Sequence, residues 1–433
     1  MCFIGSYDHN VYALDAATGR EIWRYPTGDG VFATPAVVRV DGRACVLAAS
    51  SDRTLYCIDA RQGVKIWGYE TYDWRPSLGQ AFLASPIVVE VGQVANLPEV
   101  SSAQSTSEAQ PGQVSNLPHF GPSVILVSWV YDTAPRRATE IAEVRAIAPD
   151  TGRLRWKRPF AESRPTHPAW GVRGGTVRLY VGCRDGNLYC LDAAGGGELW
   201  RRASKFPIDA TPVFVAGAEG ETPLVLVGSK FGDVRAFAAD SGEPVWSFKA
   251  GHWIDATPAI VRGPDGAARA LVGSYDGRLY CLDARTGVPL WRYATRGNVI
   301  ASAAVVPRGG EGGRFDVFVP SDDDMLHAVD GVSGRGIWQF SPGPFLWAYR
   351  GLGDTIWASP AAARLGGVDM LIVPHYDGRI HAYRLDRSVQ WLPATGDPAY
   401  GRAMLARIGA SMLATLALAL AFVSWEKRKW RRI

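Results

Sequence analysis

The sequence predicts an all-β propeller of four-stranded repeats, followed at its C-terminal end by one apolar helix. Three observations carry this. The segment GSYDHNVYALDAATGREIW at Gly5–Trp23 returns, with the same framework, as GSYDGRLYCLDARTGVPLW at Gly273–Trp291. A Gly-x-x-x-Trp signature recurs seven times, ending at Trp23, Trp67, Trp156, Trp200, Trp246, Trp291 and Trp338, and its spacings are 44, 89, 44, 46, 45 and 47 residues. From Ile408 to Trp425 no residue is charged.

The repeat sets the architecture. A period of about 44 residues with four short β-rich runs is the mark of a propeller blade. A lone blade cannot bury both faces, so the units must stack. In the repeat ending at Trp291 the strands read DATPAIV (255–261), RALVGSY (269–275), RLYCLDA (278–284) and PLWRYA (289–294). Asp276-Gly277 separates the second and third, and Asp185-Gly186 and Asp377-Gly378 repeat it. This pair suits a two-residue hairpin with positive φ at both positions. The 89-residue spacing is one repeat stretched by an insertion, and an eighth, degenerate unit follows at 376–392 with Trp391 displaced by one place.

The turn between the third and fourth strands has the strongest pattern. Gly stands at positions 19, 63, 152, 196, 242, 287 and 334; Asp stands at 15, 59, 192, 283 and 330, with Ala148 and Ala238 in the other two units. The Asp can accept backbone N–H bonds within the turn, and the Gly can take a left-handed conformation. The seven Trp residues then dock between neighbouring blades. These residues are structural, because chemistry carried by this Asp would have to recur in every blade.

The run A-x-D-x-x-T-G-x-x-x-W at Ala13–Trp23 resembles the tryptophan-docking motif of the pyrroloquinoline quinone (PQQ) repeat. That family includes the quinoprotein dehydrogenases and outer-membrane assembly proteins of the BamB type. The resemblance spans residues 1–392 and implies eight blades. It is specific for fold and less so for function, since one propeller hosts unrelated sites. The dehydrogenases hold PQQ between a Trp and a pair of adjacent cysteines, near a calcium ion. No two of the six cysteines here (Cys2, Cys45, Cys57, Cys183, Cys190, Cys281) are adjacent. No cofactor and no metal site is therefore expected.

Composition narrows the remaining classes. With 433 residues, 47% of them hydrophobic, 48 Gly and 16 Trp, this is a folded chain rich in strands and turns. A net charge of +4 with no basic run before the last eight residues gives no nucleic-acid footprint. There is no CxxC pair, which speaks against zinc or redox use. Cys57, Cys190 and Cys281 take the place of Ala13 and read as small buried strand residues. Two-residue turn geometry would pair position 181 with 190, so Cys183 and Cys190 are not expected to bridge. His327 and His381 stand where Tyr280 stands, and His375 falls on the opposite face from His381, so no metal site is read there. GxSxG, HExxH and Walker motifs are absent.

Departures from the repeat are where a site is sought. Met1 directly precedes the second strand of a blade, so the chain reads as lacking the start of its first blade. The 92–122 insertion duplicates GQVANLP as GQVSNLP around a polar tract and reads as a disordered surface loop. The loops entering the first strand of several blades gather Trp74, Arg75, Phe206, His252, Trp253, Trp347, Tyr349 and Arg350. Aromatics with Arg in loops suit partner or sugar recognition. Asp209 and Asp255 stand where other blades have Phe32, Leu83, Ile300 and Trp357. Either they bond to backbone at a strand start or, together, they hold a cation or polar ligand.

The domain reading is thus a propeller over 1–395, a transmembrane helix over 403–425 and a basic tail over 426–433. Eighteen uncharged residues span roughly 27 Å, close to a bilayer core of about 30 Å. The tail EKRKWRRI carries five cations, which places it in the cytoplasm and the propeller on the other side. The function expected is a membrane-anchored, non-enzymatic propeller that binds a protein partner through its loops, as a scaffold or assembly factor. A glycan or small-ligand sensor is the alternative, and a PQQ-dependent dehydrogenase a weaker one.

Overall fold

The computed structural model describes residues 1–16, 18–71, 78–89, 122–132, 139–161, 163–218, 220–308, 313–323, 325–340, 359–365, 368–374, 380–385 and 392–393. The 403–425 segment and most of the 92–122 insertion lie outside them. Among the described residues no helix is long and apolar enough to cross a membrane.

The fold is an all-β, eight-bladed propeller. Eight antiparallel sheets follow one another among the described residues, and in most of them paired strands are neighbours in sequence; in sheet three Ser123–Asp132 pairs with both Leu78–Leu83 and Ile87–Val89, and sheet seven adds Leu392–Pro393 from beyond sheet eight. Among the described residues sheet one (residues 2–26) has three strands, and sheets two, four, five and six have four. In sheet three the insertion sits between Ile87–Val89 and Ser123–Asp132, which still pair, Ile87 with Ile125. By contacts the chain divides into two compact units, Met1–Ile260 with Ala284–Val288, and Val261–Asp283 with Pro289–Ile433. Sheets one to five belong to the first unit.

The Trp signature acts as the repeat implied. Each Trp lies opposite a small buried residue on the third strand: Ala13 faces Trp23, Cys57 faces Trp67, Cys190 faces Trp200 and Cys281 faces Trp291. A register shift follows directly after that pair in each case. The indole N–H then donates to a carbonyl of the next sheet: Trp23 to Ala60 at 3.1 Å, Trp67 to Pro149 at 2.9 Å, Trp156 to Ala193 at 3.0 Å, Trp200 to Ala239 at 3.2 Å. Trp246 does the same to Ala284 and Trp291 to Gly331. Trp338 packs with Phe318 and Leu371. Trp200 is the buried member of the seven; the other six are half-buried.

The signature glycine has two reasons to be glycine. Gly242 has φ +73°, and a Cβ there would stand 2.7 Å from the Trp200 ring. The same geometry recurs from Gly63 against Trp23 to Gly334 against Trp291. The Asp of the turn caps it as expected: the Asp59 carboxylate accepts N–H bonds from Arg61 at 2.8 Å and Gln62 at 2.6 Å.

Three expectations need correction. The hairpin between the second and third strands has three loop residues, not two. Cys183 pairs with Asn187, and only the last loop residue, Gly186 (φ +83°), is left-handed. The same holds at Tyr275–Gly277. Tyr180, not Val181, therefore lies opposite Cys190. All six cysteines are free thiols. Burial pushes the Cys190 and Cys281 thiols up to about 12, so they stay protonated near neutrality. The first strand of a blade also starts later than the sequence implied: Ala259–Arg262 is strand, whereas Asp255–Pro258 is not.

In sheets one and two the left-handed loop position holds His9 (φ 68°) and Arg53 (φ 76°) instead of glycine. A side chain there costs about 1–2 kcal/mol, partly offset by the entropy of a mobile glycine in the unfolded chain. Arg53→Gly should therefore raise stability by about 0.5–1 kcal/mol, read as a higher urea midpoint.

A second repeat, missed in the sequence, ties neighbouring first strands together. At three blade boundaries the residue at one position, just before the first strand, latches onto its counterpart in the next sheet. Thr34 N–H donates to Ser85 Oγ at 2.9 Å, and Ser85 N–H donates to His167 Nε2 at 2.9 Å. In the second unit Ser302 N–H donates to Ser359 Oγ at 3.1 Å. His167 must be unprotonated at Nε2 to accept, and burial holds its pKa below the usual histidine range. A depressed folded pKa means stability that is present above the unfolded value of about 6.5 and is lost as pH falls below it. Melting temperature should thus fall between pH 7 and pH 5, and less so in His167→Gln.

Candidate functional site

Among the described residues five hairpins share one internal lock. The middle loop residue is Asp, and it accepts both the N–H two residues on and the hydroxyl four residues on. Asp8 holds Tyr12 at 2.5 Å, Asp52 holds Tyr56 at 2.7 Å, Asp185 holds Tyr189 at 2.5 Å and Asp276 holds Tyr280 at 2.6 Å. In sheet seven His327 replaces the Tyr and lies 3.1 Å from both carboxylate oxygens of Asp323. Burial pushes the Asp323 carboxyl upward. The His327 contact and the Arg296 N–H outweigh that and hold it below its ordinary value. The Tyr189 hydroxyl is pushed up to about 12 by burial and by Asp185.

Sheet five breaks the lock. Phe231 stands where the Asp should be, and Arg235 where the Tyr should be. Phe231 is 54% exposed and stacks on Phe206, with ring centroids 4.2 Å apart and planes at 22°. Beside it Lys230 sets its ammonium 5.5 Å from the centroid of the Trp253 ring. That is within cation–π range. Trp253 is 44% exposed and lies against the His252 ring, centroids 5.2 Å apart.

The two loops that carry these groups are anchored from below. Ile208 and Ile254 are fully buried. A Cβ built at Gly182 would stand 2.4 Å from Ile208, and one at Gly228 would stand 2.5 Å from Ile254. Each Ile N–H donates back to its hairpin, Ile208 to Cys183 and Ile254 to Ser229, both at 3.1 Å. Val31 on Gly5 and Val299 on Gly273 repeat the plug. Lys205, next to Phe206, is a non-glycine residue with φ 70°. The aromatics therefore stand on a fixed base.

Asp209 follows neither reading that the sequence allowed. Its carboxylate takes Arg184 Nε at 2.5 Å, and Lys230 Nζ lies 3.9 Å away. A guanidinium and an ammonium already neutralise it, which removes the electrostatic reason to bind a metal ion. Lys230 joins this carboxylate to the Trp253 face. The structure thus brings together Phe206, Asp209, His252 and Trp253, with Asp255 half-buried one residue beyond Ile254. Trp74, Arg75, Trp347, Tyr349 and Arg350 lie outside the described residues. Arg184, Lys230 and Phe231 were missed. Aligning the hairpins YDH, SDR, RDG, KFG and YDG would have exposed the missing Asp.

Comparison with known proteins agrees with this architecture. The chain resembles BamB from Moraxella catarrhalis (16% identity, TM-score 0.54), with 90% of this chain and 92% of that one covered. It also resembles Sqt1 from Saccharomyces cerevisiae (9% identity, TM-score 0.61, 89% and 92% covered). A third likeness is to quinohemoprotein alcohol dehydrogenase from Comamonas testosteroni (12% identity, TM-score 0.56, 86% and 68% covered). At such identities these likenesses speak for the fold alone. No curated protein matches the chain. The family model for outer membrane protein assembly factor BamB matches residues 1–114, 141–227 and 230–410, and the chain belongs to that family.

Proposed function

We propose that this chain is a non-enzymatic, membrane-tethered propeller that binds a protein partner through its blade-connecting loops and serves as a scaffold in an assembly. One observation carries the reading. In sheet five an aspartate used elsewhere to lock a hairpin is replaced by Phe231, whose ring stands exposed on Phe206 beside Lys230 and Trp253. A fixed cluster of exposed aromatics with cations at hand has the composition of an interface hot spot. The assembly-factor description of the family supports the scaffold role. The uncharged run 408–425 with its basic flank supports the tether.

The test is crosslinking of a tagged chain in intact cells, with partners identified by mass spectrometry. Phe231→Asp restores the common hairpin residue and so should fold. Together with Trp253→Ala it should remove the partner at least tenfold. Undiminished capture by this double variant would refute the loop surface. Recovery of the parent chain alone would refute the scaffold reading.

A further inference from the structure

Sheet seven carries a second feature, apart from the loop surface. Its fourth strand, Gly336–Phe340, is joined along its outer edge by Leu392–Pro393, an antiparallel addition that sets Gln339 opposite Leu392 and Trp338 opposite Pro393. The sheet thereby gains a fifth strand.

The sequence of this edge differs from the others. The fourth strands EIWRYP, KIWGYE, LRWKRPFA, ELWRRA, PVWSFK and PLWRYA each carry at least one charge. Charges on an open edge discourage pairing with another strand. GIWQF carries none. The position after the Trp differs too. Arg24, Gly68, Lys157, Arg201, Ser247 and Arg292 are all exposed there, whereas Gln339 is wholly buried. Neither amide atom of Gln339 has a hydrogen-bond partner among the described residues. A buried primary amide calls for a partner, and a leucine in the facing register offers no hydrogen-bonding group.

We propose that the outer edge of Gly336–Phe340 is a strand-acceptor site for an extended, uncharged segment of a partner protein. The segment binds by β-augmentation and carries an amide or hydroxyl side chain in register with Gln339. Leu392–Pro393 fills the site in cis. Among the described residues it pairs with two of the five and leaves the Gln339 amide unanswered, so a longer strand with a matching polar residue displaces it. Main-chain bonds supply the affinity and the Gln339 register supplies the selectivity.

The experiment is hydrogen exchange on the full chain in detergent, with the nonapeptide SVQWQPATG as probe. This is the chain's own 388–396 sequence with Leu392→Gln. Slowed exchange confined to residues 336–340, with affinity at least tenfold above that of SVQWKPATG, is the expected result. Gln339→Leu removes the amide at nearly constant volume and buries no charge, so the fold should persist. The probe should bind this variant at least tenfold more weakly. No change in 336–340 at millimolar probe, equal binding of the lysine peptide, or equal protection of 289–294 would each overturn the proposal. Failure here leaves the Phe231 surface untouched, since that surface is read by partner capture.

Discussion

Glu143→Gln should destabilise the chain by about 3–5 kcal/mol. Glu143 and Arg145 sit two residues apart on the strand Thr139–Ile147 and so share a face. The Arg145 side chain is 2% exposed and that of Glu143 10%. The Glu143 carboxylate pairs with the Arg145 guanidinium, and Lys157 Nζ lies 3.6 Å from its other oxygen. Taking one partner away removes from a buried guanidinium the carboxylate that pairs with it, which is the costly half of the comparison. Replacing both, as Glu143→Leu with Arg145→Leu, removes the desolvation cost of both ions. That double variant should lie within about 1–2 kcal/mol of the parent. Urea unfolding of Glu143→Leu, Arg145→Leu and the double variant gives the coupling directly. Equal loss in all three would mean that packing, not charge, holds this strand.

How much of this was legible in the sequence depends on what repeats. The Trp, Gly and turn-Asp positions recur because every blade needs the same left-handed turn and the same indole contact. One copy explains the next, and the fold follows. The small residue opposite each Trp was legible for the same reason: Cys190 and Cys281 take the place of Ala13. The latches between first strands also recur. They escaped notice because Ser85 and His167 differ in type while serving as the same acceptor.

The candidate site is the opposite case. Phe206, His252 and Trp253 were visible as aromatics in loops. Their neighbours Arg184 and Lys230 were not, because a hairpin residue has no periodicity to betray what it touches across a blade boundary. Phe231 was readable only as a missing aspartate. The hairpin loop length was misread because Asp-Gly fits two turn types. Only the hydrogen bonds of Cys183 with Asn187 and of Gly186 with Cys183 decide between them. Gln339 looks like one more surface residue beside a Trp until its burial is seen.

Trp200→Ala should cost about 3–5 kcal/mol, the upper end for a core aromatic. Trp200 is 8% exposed, its ring centroid lies 6.0 Å from that of Tyr180, and its indole donates to Ala239. It bridges sheets four and five, and Phe237, Val225 and Cys190 share its cluster. Loss of the ring would open a cavity whose walls are strands and relax little. Trp200→Phe keeps most of the contact and loses the Ala239 bond, so it should cost about 1–2 kcal/mol. The contact can also be broken from its other side. Gly242→Val would meet the Trp200 ring and require φ +73° of a β-branched residue. Its cost should approach that of Trp200→Ala. In the Trp200→Ala background the ring that Gly242→Val strikes is gone and the flexible, partly exposed Arg202 chain can move aside, so the second substitution should cost little beyond its backbone strain, about 1–2 kcal/mol. That shortfall from additivity identifies the glycine–indole contact as the element joining one blade to the next. Simple addition of the two losses would assign the glycine to the turn alone.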